Sequence, residues 1–142
     1  MSKGPAILVT GGAGYIGSHC CRALLAAGYY PVVFDNFSTG HRSFVTGPLV
    51  TGDLQNKAAL DCAFAQHDIV AVMHFAASSL VGESIIDPQK YYGNNVAGTL
   101  SLLEAMREAG CNRLVFSSTG AVYGNADSKA LPESYPCAPI NP

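Results

Sequence analysis

A short apolar run, Ala6-Ile7-Leu8-Val9, stops at a cluster of glycines, and a helical pattern opens directly beyond it. This junction constrains the chain more than any other stretch. The run reads as a buried strand. Gly12-x-Gly14-x-x-Gly17 has the glycine spacing of a dinucleotide-binding turn, in the context such a turn requires, after a strand and at the mouth of a helix. In that spacing the first glycine permits a tight turn and the second lets backbone approach a pyrophosphate. The third lets the helix pack closely on the strand. The helix then points unpaired N–H groups and the positive end of its dipole at the anion.

With 142 residues, the chain has room for one domain with a proper core and not for two ordinary ones. Hydrophobic residues make up 49% and charged residues 13%, as suits a sheet covered by helices on both faces. The net charge of −2 supplies no basic stripe, which argues against a nucleic-acid partner. No apolar run approaches the roughly 20 residues of a membrane span, and no long apolar core of a secretion signal opens the chain. The five cysteines (Cys20, Cys21, Cys62, Cys111 and Cys137) form no C-x-x-C and cannot all pair. They read as buried, reduced thiols of a cytoplasmic protein.

Along the chain, Ile16, Cys20, Ala23, Leu24 and Ala27 recur at helical spacing, and Gly28 supplies a left-handed stop. A second strand, Pro31 to Phe34, ends in Asp35. That carboxylate lies eighteen residues beyond Gly17, near the offset of about 20 expected of the acid that holds an adenosine ribose. It would accept from both ribose hydroxyls and repel a 2′-phosphate, which favours NAD over NADP. Arg42 reads as a surface arginine. A polar loop, Asn36-Phe37-Ser38-Thr39-Gly40, leads to a third strand, Leu49-Val50-Thr51. Asp53 has two readings, as the cap of the helix through Lys57, Leu60 and Phe64 or as a contact to adenine.

Ile69 to Phe75 is the continuous apolar run of a central parallel strand, and the small pair Ala76-Ala77 at its end lets a ligand lie near backbone. His74 has no second histidine or carboxylate at a useful spacing and reads as a packed strand-end residue. Asp87-Pro88 opens a helix expected to run to Ala109 and to stop at Gly110. Gly93 and Gly98 inside it each cost about 1 kcal/mol relative to alanine, so a neighbour should pack close there. At least one of Asn94 and Asn95 should have a polar partner, and Tyr91 and Tyr92 read as packing. A fifth strand, Arg113 to Ser117, runs into Ser118-Thr119-Gly120, hydroxyls at the strand end where open α/β sheets bind ligands. The order β-α-β-β-α-β-α-β with right-handed crossovers predicts a Rossmann-type, doubly wound parallel sheet of order 3-2-1-4-5. Gly11 to Gly17, Ala76 and Thr119 are expected around one crevice at its switch point.

Thr10-Gly11-Gly12-x-Gly14-x-x-Gly17, Asp35-Asn36, Gly52-Asp53-Leu54, His74-Phe75-Ala76-Ala77, Tyr92-x-Asn94-Asn95-Val96-x-Gly98-Thr99 and Ser117-Ser118-Thr119-x-x-Val122-Tyr123-Gly124 follow one another in family order. By these motifs the chain resembles the N-terminal part of an extended short-chain dehydrogenase/reductase. Val81-Gly82-Glu83-Ser84 makes it most similar to the members that epimerise C4 of a UDP-sugar. The dehydratases of this family carry an Asp-Glu pair where Gly120 and Ala121 stand. Nucleotide-sugar decarboxylases and a UDP-glucuronate epimerase remain alternatives, as does a non-catalytic NAD-binding module. A non-enzymatic, NAD-sensing regulator would leave Thr119 without a purpose.

The resemblance implies an NAD-dependent isomerase interconverting UDP-glucose and UDP-galactose. A tyrosine takes the 4-hydroxyl proton as the C4 hydride passes to NAD, and the 4-ketone rotates to receive the hydride on its other face. A lysine four residues on lowers the tyrosine's pKa. The resemblance makes Thr119 the hydroxyl that hydrogen-bonds the reacting oxygen. It lines the NAD site with Gly11, Gly12, Gly14, Tyr15, Ile16 and Gly17, with Asp35 to Gly40 (Asn36, Phe37, Ser38 and Thr39 between), with Asp53 and Leu54, with Phe75, Ala76, Ala77 and Ser79, and with Asn95. Ser79 stands where some members have lysine. In this family the Tyr-x-x-x-Lys pair directly follows Pro139-x-x-Pro142, and the sequence stops at Pro142. The expectation is therefore an incomplete NAD-binding domain, truncated before the sixth strand and inactive alone, whose fifth strand exposes an apolar edge. A homodimer is implied for the longer protein.

Overall fold

The computed structural model describes residues 4–126 and 130–142. Five parallel strands form one sheet in the order β3-β2-β1-β4-β5. They are β1 (Ala6–Thr10), β2 (Tyr30–Asp35), β3 (Leu49–Thr51), β4 (Ile69–His74) and β5 (Leu114–Phe116). Helices α1 (Tyr15–Ala26), α2 (Lys57–Gln66), α3 (Val81–Ile86), α4 (Pro88–Tyr91) and α5 (Gly98–Glu108) connect them, with a π-helical turn over Tyr92–Ala97. Short 3-10 turns cover Arg42–Phe44 and Gly120–Tyr123.

Strand periodicity divides the core in two. Leu8, Val32, Phe34 and Val72 face one side, where Leu60 of α2 and Leu102, Ala105 and Met106 of α5 cover them. Ile7, Val9 and Val33 face the other side and pack with Cys21 of α1. Adjacent residues of β1 and β2 thus enter opposite cores, which is why both strands are apolar up to their last residue. Gly28, at φ +83°, ends α1 as expected, with the Tyr29 N–H donating back to the Leu24 carbonyl at 2.9 Å.

Several details depart from the sequence reading. Helix α1 buries Gly17, Ser18 and Cys21, while Ile16 is 60% exposed. Its rotation is fixed by Gly17 seated against the Gly11 carbonyl rather than by its largest apolar side chain. The helix expected from Asp87 to Ala109 is interrupted by the π turn, and α3 lies ahead of it as a separate element. Asn56, not Asp53, caps α2, accepting from the Ala59 N–H at 3.3 Å. Tyr92 is exposed rather than packed. Cys62 and Cys137 are exposed, so the expectation of buried thiols holds for Cys21 and Cys111, with Cys20 half-buried. Strands β1, β2, β4 and β5 each have a limit one residue away from the expected one, the usual scale of fraying at element ends.

No helix among the described residues is long and apolar enough to cross a membrane. The edge strand β5 leaves Val115 54% exposed. An open apolar edge invites pairing between chains, so the 142-residue chain should self-associate. Val115→Lys should lower light scattering at equal protein concentration, and unchanged scattering would place the association elsewhere.

Candidate functional site

The turn after β1 is built around backbone contacts that leave no space for side chains. Gly11 takes φ +71°, and a Cβ there would sit 2.7 Å from the Ala76 nitrogen. A Cβ on Gly17 would overlap the Gly11 carbonyl oxygen. Gly12 keeps an ordinary φ, and its missing side chain makes room for Val33 beneath it. The tight turn is therefore carried by Gly11, one residue before the position the spacing rule assigns to it. Gly14 caps α1 in extended conformation and opens onto a cavity of about 450 Å³ at the carboxyl ends of β1 and β4. The first-turn N–H groups of α1 have no carbonyl of their own helix to pair with.

Asp35 forms the opposite lip of this cavity and is only 7% exposed. Its Oδ2 accepts from the Ala13 N–H at 2.9 Å, and its Oδ1 accepts from the Phe37 N–H at 2.8 Å. Phe37 itself stands in the left-handed region, at φ 59°, a conformation uncommon for a non-glycine residue. The Arg42 guanidinium lies 4.4 Å over the Phe37 ring and is exposed, in keeping with its reading as a surface residue. Gly40 completes the clamp, since a Cβ there would stand 2.8 Å from Asp35 Oδ1.

Beneath the cavity floor runs a chain of hydrogen bonds. His74 is 3% exposed, with Nδ1 2.6 Å from Thr10 Oγ1 and Nε2 3.1 Å from Thr99 Oγ1. The single Thr99 proton is committed to the Asn95 carbonyl at 2.6 Å. Thr99 must therefore accept from Nε2–H, and Nδ1 accepts from Thr10. The imidazole is neutral in this arrangement, and burial holds its pKa below the ordinary value. This is the packed histidine that the sequence suggests.

Of the residues singled out from sequence, Gly11, Gly14, Asp35, Asn36, Ser38, Thr39, Leu54, Phe75, Ala76, Ala77 and Ser79 line the cavity. Tyr15 and Ile16 begin α1 with exposed side chains and are not among the residues that line the cavity. Asp53 belongs to a second, outer cavity of about 560 Å³, where it accepts from Asn36 Nδ2 at 2.8 Å and from the Gln55 N–H at 2.9 Å. Asn95 stands behind the wall rather than on it. Its carboxamide accepts from the Ser78 N–H at 2.8 Å and donates to the Ser78 carbonyl at 2.9 Å, while its neighbour Asn94 faces the cavity. Thr119 is exposed and does not line the cavity. Its hydroxyl accepts from the Ala121 N–H at 3.1 Å, capping the 3-10 turn. The expected crevice thus gathers Gly11, Gly14 and Ala76 without Thr119.

Sequence reasoning missed Glu83, Lys90 and Tyr91 as cavity residues. In the sequence Glu83 reads only as part of a motif, and Tyr91 as packing. Their convergence depends on the break between α3 and α4, where Asp87 caps α4 and the hydroxyl of Tyr91, the last residue of α4, reaches back to the Leu80 carbonyl.

A parallel sheet of this order, with a glycine turn and a strand-end carboxylate facing each other across the switch point, is a Rossmann-type fold with a cleft at that switch point. The chain belongs to the NAD dependent epimerase/dehydratase family, whose model matches residues 7–142. It is 55% identical over 140 residues to the UDP-glucose 4-epimerase of Rhizobium leguminosarum bv. trifolii, covering 98% of this chain and 43% of that protein. Over 146 residues it is 46% identical to the UDP-glucose 4-epimerase of Bacillus subtilis, covering 96% of this chain and 43% of that protein. The crystal structure of UDP-glucose 4-epimerase from Brucella ovis in complex with NAD matches with a TM-score of 0.91 at 48% identity, covering 96% of this chain and 42% of that one. The Bifidobacterium longum enzyme, in complex with NAD+ and UDP, gives 0.87 at 33% identity, over 94% of this chain and 42% of that one. The chain spans less than half the length of these relatives.

Two outcomes follow from the site's construction. Gly17→Ala should destabilise the chain by about 1–3 kcal/mol in urea unfolding, since backbone must move to admit the methyl group; an unchanged midpoint would show the loop to be compliant. His74 binds a proton less readily folded than unfolded. Its contribution to stability is fully present above the unfolded value of about 6.5 and declines as pH falls below it. His74→Gln should therefore flatten the fall in unfolding free energy between about pH 7.5 and pH 5.5. An identical slope in both proteins would assign that fall to other groups.

Proposed function

We infer that these residues are the NAD-binding portion of a UDP-glucose 4-epimerase. The observation that carries the reading is the cavity itself, with Gly11 and Gly14 on one side and a backbone-clamped Asp35 on the other. It occurs in a chain 55% identical to a UDP-glucose 4-epimerase. The site fits the cofactor. Glycines leave a cradle at the head of a twelve-residue helix, whose N–H groups and dipole suit a pyrophosphate. Each Asp35 oxygen spends one acceptor site on backbone and keeps another for a ribose hydroxyl. A 2′-phosphate would meet this carboxylate at short range, so the preference is for NAD over NADP.

When bound, NAD supplies a hydride acceptor and donor for C4 of the sugar. Leu54, Ala76 and Ala77 give the dinucleotide apolar and small-residue walls, and Asn36 and Ser38 supply polar contacts near the ribose. Asp53, already turned toward Asn36, is placed for an adenine edge. Thr119 is assigned to the sugar oxygen, at the end of β5, and its role requires the substrate side of the longer protein. None of the seven tyrosines has a lysine four residues on, so the acid–base pair of this family has no counterpart within the sequence. The 142 residues by themselves should hold NAD without turnover.

Pairing of the longer protein with a second copy belongs to the same reading. Its support is an apolar stripe, Tyr92, Val96, Leu100 and Leu103, left exposed along the π turn and α5.

Calorimetric titration tests the assignment. NAD should bind the chain, and Asp35→Ala should weaken binding by about tenfold or more, the loss expected of charge-assisted hydrogen bonds. An unchanged dissociation constant would remove Asp35 from the ribose site. UDP-galactose incubated with the chain and NAD should yield no UDP-glucose, and conversion at an enzymatic rate would refute the need for the tyrosine–lysine pair.

A further inference from the structure

Among the described residues lining either cavity, Lys90 is the single cation, and carboxylates outnumber it. Asp35 and Glu83 line the inner cavity, Asp53 and Asp87 line the outer one, and Lys90 lines both. An anionic ligand entering such a space is repelled unless positive charge or a row of N–H donors faces it. The head of α1 supplies the donors on one side. On the wall made by α3 and α4, the positive charge is the Lys90 ammonium.

That ammonium is held in place by a small built cluster. Asp87 Oδ1 accepts from the Lys90 N–H at 3.2 Å, fixing its backbone in the first turn of α4. Lys90 Nζ donates to Glu83 Oε1 at 2.7 Å. The other Glu83 oxygen accepts from the hydroxyl of the buried Tyr91 at 2.7 Å, and the same hydroxyl lies 2.9 Å from the Leu80 carbonyl. Glu83 takes one of the three ammonium protons, which leaves two for a ligand. The side chains of Lys90 and Glu83 are 50% and 39% exposed, and an ion pair this open contributes little to stability. Holding the fold together is not an adequate account of it.

We propose that Lys90 is a phosphate-binding residue of the dinucleotide cavity, with Glu83 as the arm that presents its ammonium there. This rests on the NAD reading above and adds a contact to it. The ligand chemistry is a phosphate oxygen, recognised by a point charge rather than by a planar fork.

The test titrates NAD and, separately, adenosine into the 142-residue chain and three variants at several salt concentrations. Lys90→Met should weaken NAD binding by about tenfold, as loss of a charge-assisted hydrogen bond does. It should also make the affinity less sensitive to salt, because one screened attraction is gone. Adenosine, which has no phosphate, should bind Lys90→Met and the unaltered chain alike. Lys90→Arg should recover most of the NAD affinity. Glu83→Gln keeps an acceptor for Lys90 and a hydrogen bond to Tyr91 but removes the competing negative charge, so NAD should bind at least as tightly as before. A merely structural ion pair would be harmed by both neutralising changes, so a parallel loss in Lys90→Met and Glu83→Gln overturns the proposal. NAD bound with equal affinity and equal salt dependence by Lys90→Met and the unaltered chain overturns it too, and leaves the cofactor reading standing. An unaltered chain that takes up neither NAD nor adenosine brings down both.

Discussion

The contact of Gly17 with the Gly11 carbonyl sets the geometry on which the rest of the molecule is arranged. It brings the first turn of a helix to van der Waals distance from the loop that precedes it. The helix then has one permitted rotation, and Cys21 rather than Ile16 enters the core. The same loop presses Gly11 onto the backbone of Phe75 and Ala76, so the ends of β1 and β4 are locked together at the switch point. A cleft has to open there, since the helices after β1 and β4 leave toward opposite faces of the sheet. Packing without side chains thus creates both the rigidity and the empty space.

Asp35 shows the same economy on the facing lip. A buried carboxylate is costly unless its oxygens are satisfied, and two backbone N–H groups supply the compensation. Phe37, which supplies one of them, itself holds a backbone conformation that most residues avoid. Local strain at a cleft of this kind is a mark of a site held ready for a ligand. The charge that selects the cofactor in our reading is therefore fixed before any ligand arrives.

Most of the architecture was readable from the residues because its signals are local. The strand-glycine-helix junction, the apolar run through β4 and the Asp87-Pro88 start each carry their own physical cause, and the strand order follows from the crossover rule. What escaped reading was decided by tertiary contact. Asn94 and Asn95 are indistinguishable in sequence, and which one faces the cavity depends on the phase of a π turn that no composition rule announces. Asp53 looks like a helix cap, yet Asn36 lies close enough to claim one of its oxygens, and Asn56 caps the helix instead. Thr119 sits at the right strand end, but its hydroxyl oxygen caps the turn it begins and stands outside the cavity. Glu83 and Lys90 are seven positions apart, and only the bend between α3 and α4 makes them partners.

The hydrogen bonds from Thr10 through His74 and Thr99 to Asn95 all run in one direction. No member can reverse alone, because each has one proton to give and one neighbour waiting for it. The glycine turn and the π turn sit at the two ends of this file. A change of hydroxyl at position 99, on the helix, would accordingly be registered on the neighbouring strand, where the Nε2–H of His74 becomes a proton with nowhere to go.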